Sequence, residues 1–209
     1  MHTFGFINQK GGSTKTSLSV HLAAWLTARG ARVLLLDADP QGNAQHWANA
    51  RTAPPLFAVV GKASDTLHRQ FAAIAEGYDY VVIDGPANVS KINGSAVMCC
   101  DTVIVPVQPS GLDLWASDAI LTVIDGLQGD TGRKACFVLN RRIQGTAIGK
   151  AFTDVLHDMP IPALDCVITQ RVAWSEAMTE GKTVFEIDPN GPAAREADAL
   201  FTELMEFAK

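Results

Sequence analysis

The 209-residue sequence predicts a single α/β domain, one doubly wound, mostly parallel sheet flanked by helices. Three observations predict it. Short apolar runs alternate with longer amphipathic ones. The short runs, such as Val33-Leu34-Leu35-Leu36 and Val81-Val82-Ile83, are continuous rather than alternating in polarity. No internal repeat, low-complexity segment or linker divides residues 1–209. Continuous apolar strands are those buried on both faces of a parallel sheet, and strand–helix–strand repetition implies right-handed crossovers.

In chain order, Thr3–Asn8 reads as the first strand. Thr14–Arg29 follows as a helix, with Leu18, Leu22, Trp25 and Leu26 at helical spacing and Gly30 as its stop. Arg32–Asp37, Tyr80–Asp84, Thr102–Val107, Ala135–Asn140 and Asp165–Thr169 are further strands, and Phe57–Val60 adds a shorter candidate. Leu112–Leu127 and Pro192–Ala208 carry helical periodicity.

Apolar residues make up 47% and charged residues 19%, an ordinary globular composition. No apolar run approaches the ~20 residues of a membrane-spanning helix. The start, Met1-His2-Thr3, lacks the charged region and cleavage site of a signal peptide, so a cytoplasmic location is expected. Cys99, Cys100, Cys136 and Cys166 show neither CxxC nor regular spacing and read as buried small hydrophobes. The net charge of −5 excludes a surface coated for nucleic acid but leaves room for a local basic patch.

The most informative stretch is Asn8-Gln9-Lys10-Gly11-Gly12-Ser13-Thr14-Lys15-Thr16-Ser17, between the first strand and the first helix. There, backbone N–H groups and the positive end of the helix dipole face an anion. Lys15 would neutralise the β- and γ-phosphates, Thr16 would ligate Mg²⁺, and Ser17 would reach the α-phosphate.

This stretch resembles the deviant Walker A motif of the ParA/MinD superfamily, P-loop ATPases whose fold the nitrogenase iron protein shares. The resemblance implies that Lys10 reaches across a dimer interface to the partner's nucleotide, making ATP part of that interface. Gly11, Gly12, Ser13 and Thr14 would complete the loop. One position departs from the pattern: the family usually has glycine before the second lysine, and this chain has Thr14. Either the loop keeps an ordinary φ at Thr14 or it is distorted. Nucleotide binding is expected to survive, with slow hydrolysis.

Asp37-Ala38-Asp39-Pro40-Gln41 follows the second strand and resembles the family's DxDPQ segment. By that resemblance Asp39 orients the attacking water and Asp37 supports the Mg²⁺ shell. Phosphoryl transfer asks mainly for positioning and charge neutralisation, so one well-placed carboxylate suffices. Val81-Val82-Ile83-Asp84 resembles a Walker B strand, with Asp84 holding Mg²⁺ through water. Gln108-Pro109-Ser110 resembles the loop bordering the nucleotide. Phe137-Val138-Leu139-Asn140 resembles the strand whose terminal asparagine contacts adenine, a base to which an amide offers both a donor and an acceptor. Specific motifs run from Thr3 to Asn140; Val167–Arg171 and Val184–Glu186 match in pattern alone.

Four functions share this fold. The resemblance to short ParA forms, which lack an N-terminal helix-turn-helix domain, implies plasmid or chromosome partition or cargo positioning. The partners would be a second copy in the ATP-bound homodimer, nonspecific DNA, and a ParB-type centromere-binding or cargo adaptor protein that stimulates hydrolysis. Arg141, Arg142, Lys150, Arg171, Lys182 and Arg195 are the candidate DNA contacts. A MinD-like membrane ATPase would need a basic amphipathic tail. Ala193–Lys209 instead carries Glu196, Asp198, Glu203 and Glu206, which anionic lipid repels, so a core-packing helix and no membrane are expected. An iron–sulfur relative would need converging cysteines, and ligases on this fold usually lack the early lysine. The partition or positioning ATPase is the expectation.

Overall fold

The continuous apolar runs become six parallel strands because helices cover both faces of the sheet they form. A computed structural model describes residues 1–87, 91–110, 121–126, 132–146, 152, 154–156 and 158–209. The strands are β1 (His2–Phe6), β2 (Val33–Asp37), β3 (Ala58–Gly61), β4 (Tyr80–Asp84), β5 (Thr102–Val107) and β6 (Lys134–Leu139). They lie in the order β3-β2-β4-β1-β5-β6, every neighbouring pair parallel. Successive residues serve opposite cores: Phe4, Leu35, Val82, Ile104 and Val138 face one, and Ile7, Leu36, Ile83, Val105 and Phe137 the other.

The first core is closed by α1 (Lys15–Thr27), α2 (Asn43–Ala50), α5 (Val172–Thr179), α6 (Val184–Ile187) and α7 (Pro192–Ala208). The second is closed by α3 (Leu67–Ile74), α4 (Lys91–Cys99) and the helical residues 121–126. The remainder of the Leu112–Leu127 helix lies outside the described residues. In α7, Ala193, Ala197, Leu200, Phe201 and Leu204 are buried, so this tail packs into the core. No helix among the described residues is long and apolar enough to cross a membrane. Cys99, Cys100 and Cys136 are buried free thiols, and burial pushes the Cys99 thiol up to about 12.

Asp165–Thr169 is not a strand. One isolated bridge pairs Phe137 of β6 with Ala163, just before the segment, and another pairs Thr169 with Arg142, beyond the end of β6. Between these bridges, the N–H groups of Asp165 and Cys166 donate to the Glu203 carboxylate at 2.7 and 2.8 Å. The Thr169 N–H donates to Glu196 at 3.1 Å. Leu164 and Ile168 still donate to the Phe137 and Leu139 carbonyls, both at 3.0 Å, but the Cys166 N–H between them goes to Glu203 and the ladder is broken there.

Register sets up the site. Asp84 pairs with Phe6 on one side and Asp37 on the other, so β1, β4 and β2 end side by side. The loop after β1 emerges there, where the strand order reverses and α/β sheets bind ligands.

Candidate functional site

Residues 8–14 link β1 to α1. Asn8, fully buried, anchors the loop: its Nδ2 donates to the Pro106 carbonyl at 2.7 Å and its Oδ1 accepts the Lys10 N–H at 3.1 Å. Gln108 adds a tie from β5, its Nε2 donating to the Gly12 carbonyl at 2.9 Å. Gly12 turns at φ 76°, and Thr14 adopts the left-handed conformation at φ 64°. Of the two alternatives for Thr14, the distorted one is realised, at about 1–2 kcal/mol for a non-glycine residue. Among the described residues no side chain caps α1, which leaves its N-terminal N–H groups for an anion.

The Lys15 ammonium is buried, and its Nζ donates to the Lys10 carbonyl at 3.2 Å and to Ser13 Oγ at 3.5 Å. Burial lowers its pKa, against the opposing pull of Asp84 and Asp39. Lys15 and Asp39, with Gly11, Thr16, Ser17 and Gln41, border a cleft of about 290 Å³; Asp84 is buried beneath them, near enough to act on the Lys15 charge. Larger hollows occur elsewhere, about 440 Å³ beside Trp47 and Phe57 and about 320 Å³ beside Trp25. Neither is bordered by a lysine and a carboxylate at a helix N-terminus, so chemistry rather than volume identifies the site.

The three acids differ in state. Asp37 is already committed: Oδ1 accepts the Asp39 N–H, and Oδ2 accepts the N–H groups of Ala44 and Gln45 at 3.0 and 3.1 Å. It thus serves as the anion at the start of α2, whose preceding residue, Gly42, has no capping side chain. Burial raises its pKa, partly offset by those three donors. Asp39 is buried, and its Oδ1 accepts the Gln41 N–H at 2.9 Å.

Asp84 is fully buried, and neither carboxylate oxygen has a hydrogen-bond partner among the described residues. Burial pushes its pKa up to about 7, and Asp37 and Asp39 push the same way. The nearby Thr16 hydroxyl, outside bonding geometry, and Lys15 pull it down. Orphaned buried oxygens beside a hydroxyl are the donor set that Mg²⁺ fits. Thr16 and Asp84 would hold the ion, which when bound supplies positive charge to the phosphate oxygens.

A second, narrower cleft of about 30 Å³ lies between Thr14, Ser17, Asn140 and residues 169–171. Asn140 is 3% exposed; its Oδ1 accepts the Arg141 N–H at 2.7 Å and its Nδ2 donates to Thr14 Oγ1.

The basic candidates divide. Arg171 is paired with Glu196 at 2.6 Å, Lys182 with Glu180 at 2.8 Å, and Arg195 Nη1 donates to the Asn190 carbonyl at 2.5 Å. Arg141 and Arg142 have no ion pair among the described residues, and Arg141 is exposed. Lys150 lies outside the described residues. Sequence reasoning missed the anchoring role of Asn8 and the presence of Met178 at the larger cleft. Asn8 had a signal, an asparagine closing a strand before the glycines; Met178 had none.

The model of the CobQ/CobB/MinD/ParA nucleotide binding domain matches residues 4–184. Maintenance of carboxysome distribution protein A of Halothiobacillus neapolitanus is 31% identical over 208 residues, covering 97% of this chain and 96% of its own. The chromosome-partitioning ATPase Soj of Thermus thermophilus is 27% identical over 239 residues, covering 95% and 93%. Among solved structures, apo McdA of Cyanothece shares the fold with a TM-score of 0.84 at 14% identity, covering 98% of this chain and 99% of that one. The chain belongs to the CobQ/CobB/MinD/ParA nucleotide binding domain family, and it is an ATPase of the ParA/MinD superfamily.

Proposed function

We propose that this ATPase is a switch that pairs with a second copy of itself around Mg-ATP and uses the cycle to position a cargo along DNA. The observation that carries the reading is the convergence of Lys15, Thr16 and Asp39 on one cleft at the open N-terminus of α1, with the buried Asp84 carboxylate beside all three. Lys15 and the α1 amides bind the β- and γ-phosphates and neutralise charge as the terminal phosphoryl group departs. Asp39 accepts a hydrogen bond from the attacking water and so orients it. Lys10, whose carbonyl is held by Lys15 Nζ, sends its side chain to the partner's nucleotide. Asn140 presents its amide to adenine. Asp37 acts one step back, holding the start of α2 so that Asp39 keeps its place.

The relatives named for carboxysome distribution and chromosome partitioning support a positioning task. The exposed Arg141 beside Arg142 supports DNA as the surface travelled, and a cytoplasmic, nucleoid-associated location follows. The acidic, core-packed α7 favours this reading over a membrane-bound one.

Binding to nonspecific duplex DNA, measured with Mg-ATP, with Mg-ADP and without nucleotide across a salt series, tests the proposal. Retention with ATP alone, weakening as salt rises and lost in Lys15→Ala and Lys10→Ala, is expected. An ATP-dependent dimer that binds no DNA would sink the DNA part and leave the switch.

A further inference from the structure

The Thr14 hydroxyl does something a glycine at this position cannot. Its proton goes to the Ser13 carbonyl at 2.5 Å, so its oxygen is left only to accept, and Asn140 Nδ2 donates to it. At the other end of the same amide, Oδ1 accepts the Arg141 N–H, a group that only donates. Turning the amide by half a rotation would set oxygen against oxygen and N–H against N–H. With Asn140 3% exposed, water cannot repair that exchange. The amide is therefore locked in one sense, with its second N–H and second lone pair left over beside the narrow cleft. Thr14 holds φ 64°, a strain that glycine would relieve, and retained strain of this kind points to function.

The sense of the amide matters because the two purines differ at the edge it would read. Where the adenine N6 amino group donates, the guanine O6 accepts. A freely turning amide satisfies either base; a locked one satisfies adenine alone. We infer that Thr14 is a positioning residue for base choice, fixing Asn140 so that the site takes ATP and rejects GTP. The inference rests on the reading of Asn140 as the residue that contacts the base.

Competition binding of Mg-ATP and Mg-GTP tests it on the wild type, Thr14→Gly, Thr14→Val, Thr14→Ser and Asn140→Ala. The readout is the ratio of the two dissociation constants. The wild type is expected to prefer ATP, with that preference falling roughly 10-fold or more in Thr14→Gly and Thr14→Val, because the paired acceptor is gone. Thr14→Ser, which keeps the hydroxyl, restores it. Equal losses of both affinities with the ratio kept would mean a structural role alone and overturn the inference. Asn140→Ala separates the two layers. If its ratio matches the wild type, the base-reading premise fails. If its ratio collapses while Thr14→Gly and Thr14→Val keep the preference, the premise stands and the role of Thr14 falls. A wild type that binds both nucleotides equally overturns both. Should Thr14→Val not fold, Thr14→Gly and Thr14→Ser decide between these outcomes.

Discussion

Asp84 concentrates the cost of the site in one side chain. It is fully buried, without a hydrogen-bond partner among the described residues, and close enough to Asp37 and Asp39 for both to disfavour its charge. A group in that position destabilises the nucleotide-free protein and, in its proposed role at Mg²⁺, would stabilise the loaded one. Asp84→Asn is therefore expected to raise the melting temperature without ligand, by the equivalent of about 1–3 kcal/mol. The same variant should lose the gain in ATP affinity that Mg²⁺ gives. Melting curves and titrations with and without Mg²⁺ read both effects, and a variant that melts lower without ligand contradicts the desolvation account. Thr14→Gly should likewise stabilise the free protein, by about 1 kcal/mol, because it removes a β-branched side chain from φ 64°. A drop in its melting temperature would show that the Asn140 bond outweighs the strain. Lys15, Thr16, Asp39 and Asp84 were legible in the sequence because phosphate chemistry prescribes residue types at fixed places after strands. The Thr14–Asn140 bond was not, since 126 residues separate its partners and no spacing rule reaches that far.

Between elements, His21 is the pin that joins α1 to α6. Its Nδ1–H donates to the Ser17 carbonyl at 2.6 Å and its Nε2 accepts the Val184 N–H at 2.9 Å, with the Trp174 and Phe185 rings alongside. Burial holds its pKa down at about 4; Glu186, paired with Arg51, is the charged group that pulls it up. The unfolded chain takes this proton near the ordinary imidazole value of 6.5 and the folded protein near 4. The stabilising contribution is thus complete above pH 6.5 and is lost as pH falls towards 4, by on the order of 3 kcal/mol. Denaturant unfolding of the wild type and His21→Asn from pH 7.5 to 4.5 checks this: the difference between them should shrink as pH falls. A constant difference would mean that the imidazole is not held neutral. Strands β4 and β5 match the sequence expectation residue for residue, because buried parallel strands announce themselves by composition. The Asp165–Thr169 segment shows the limit of that signal. Its apolar residues are in the right place, but a pattern of burial does not say who accepts an N–H, and here Glu203, from 37 and 38 residues away, accepts two.

For the molecule as a whole, a net charge of −5 sets the terms for the proposed contact with DNA. An acidic protein gains affinity for a polyanion only where cations stand together and unneutralised. Sequence could name candidates but not rank them, since ion pairing depends on which helix lies opposite. The structure ranks them. Arg171 would have to leave Glu196 to reach a phosphate, and Lys182 would have to leave Glu180, whereas Arg141 and Arg142 have no pair to break among the described residues. A double Arg141→Glu/Arg142→Glu variant is therefore expected to lose Mg-ATP-dependent DNA binding, with its ATP-dependent dimer still visible by light scattering. Milder neutralisation, Arg141→Gln, should lower the slope of log affinity against log salt by about 1 for the phosphate contact removed. Lys182→Gln and Arg195→Gln should leave that slope nearly unchanged. The opposite ranking would move the DNA face to the α6–α7 side of the fold and detach it from the end of β6, where Asn140 lies.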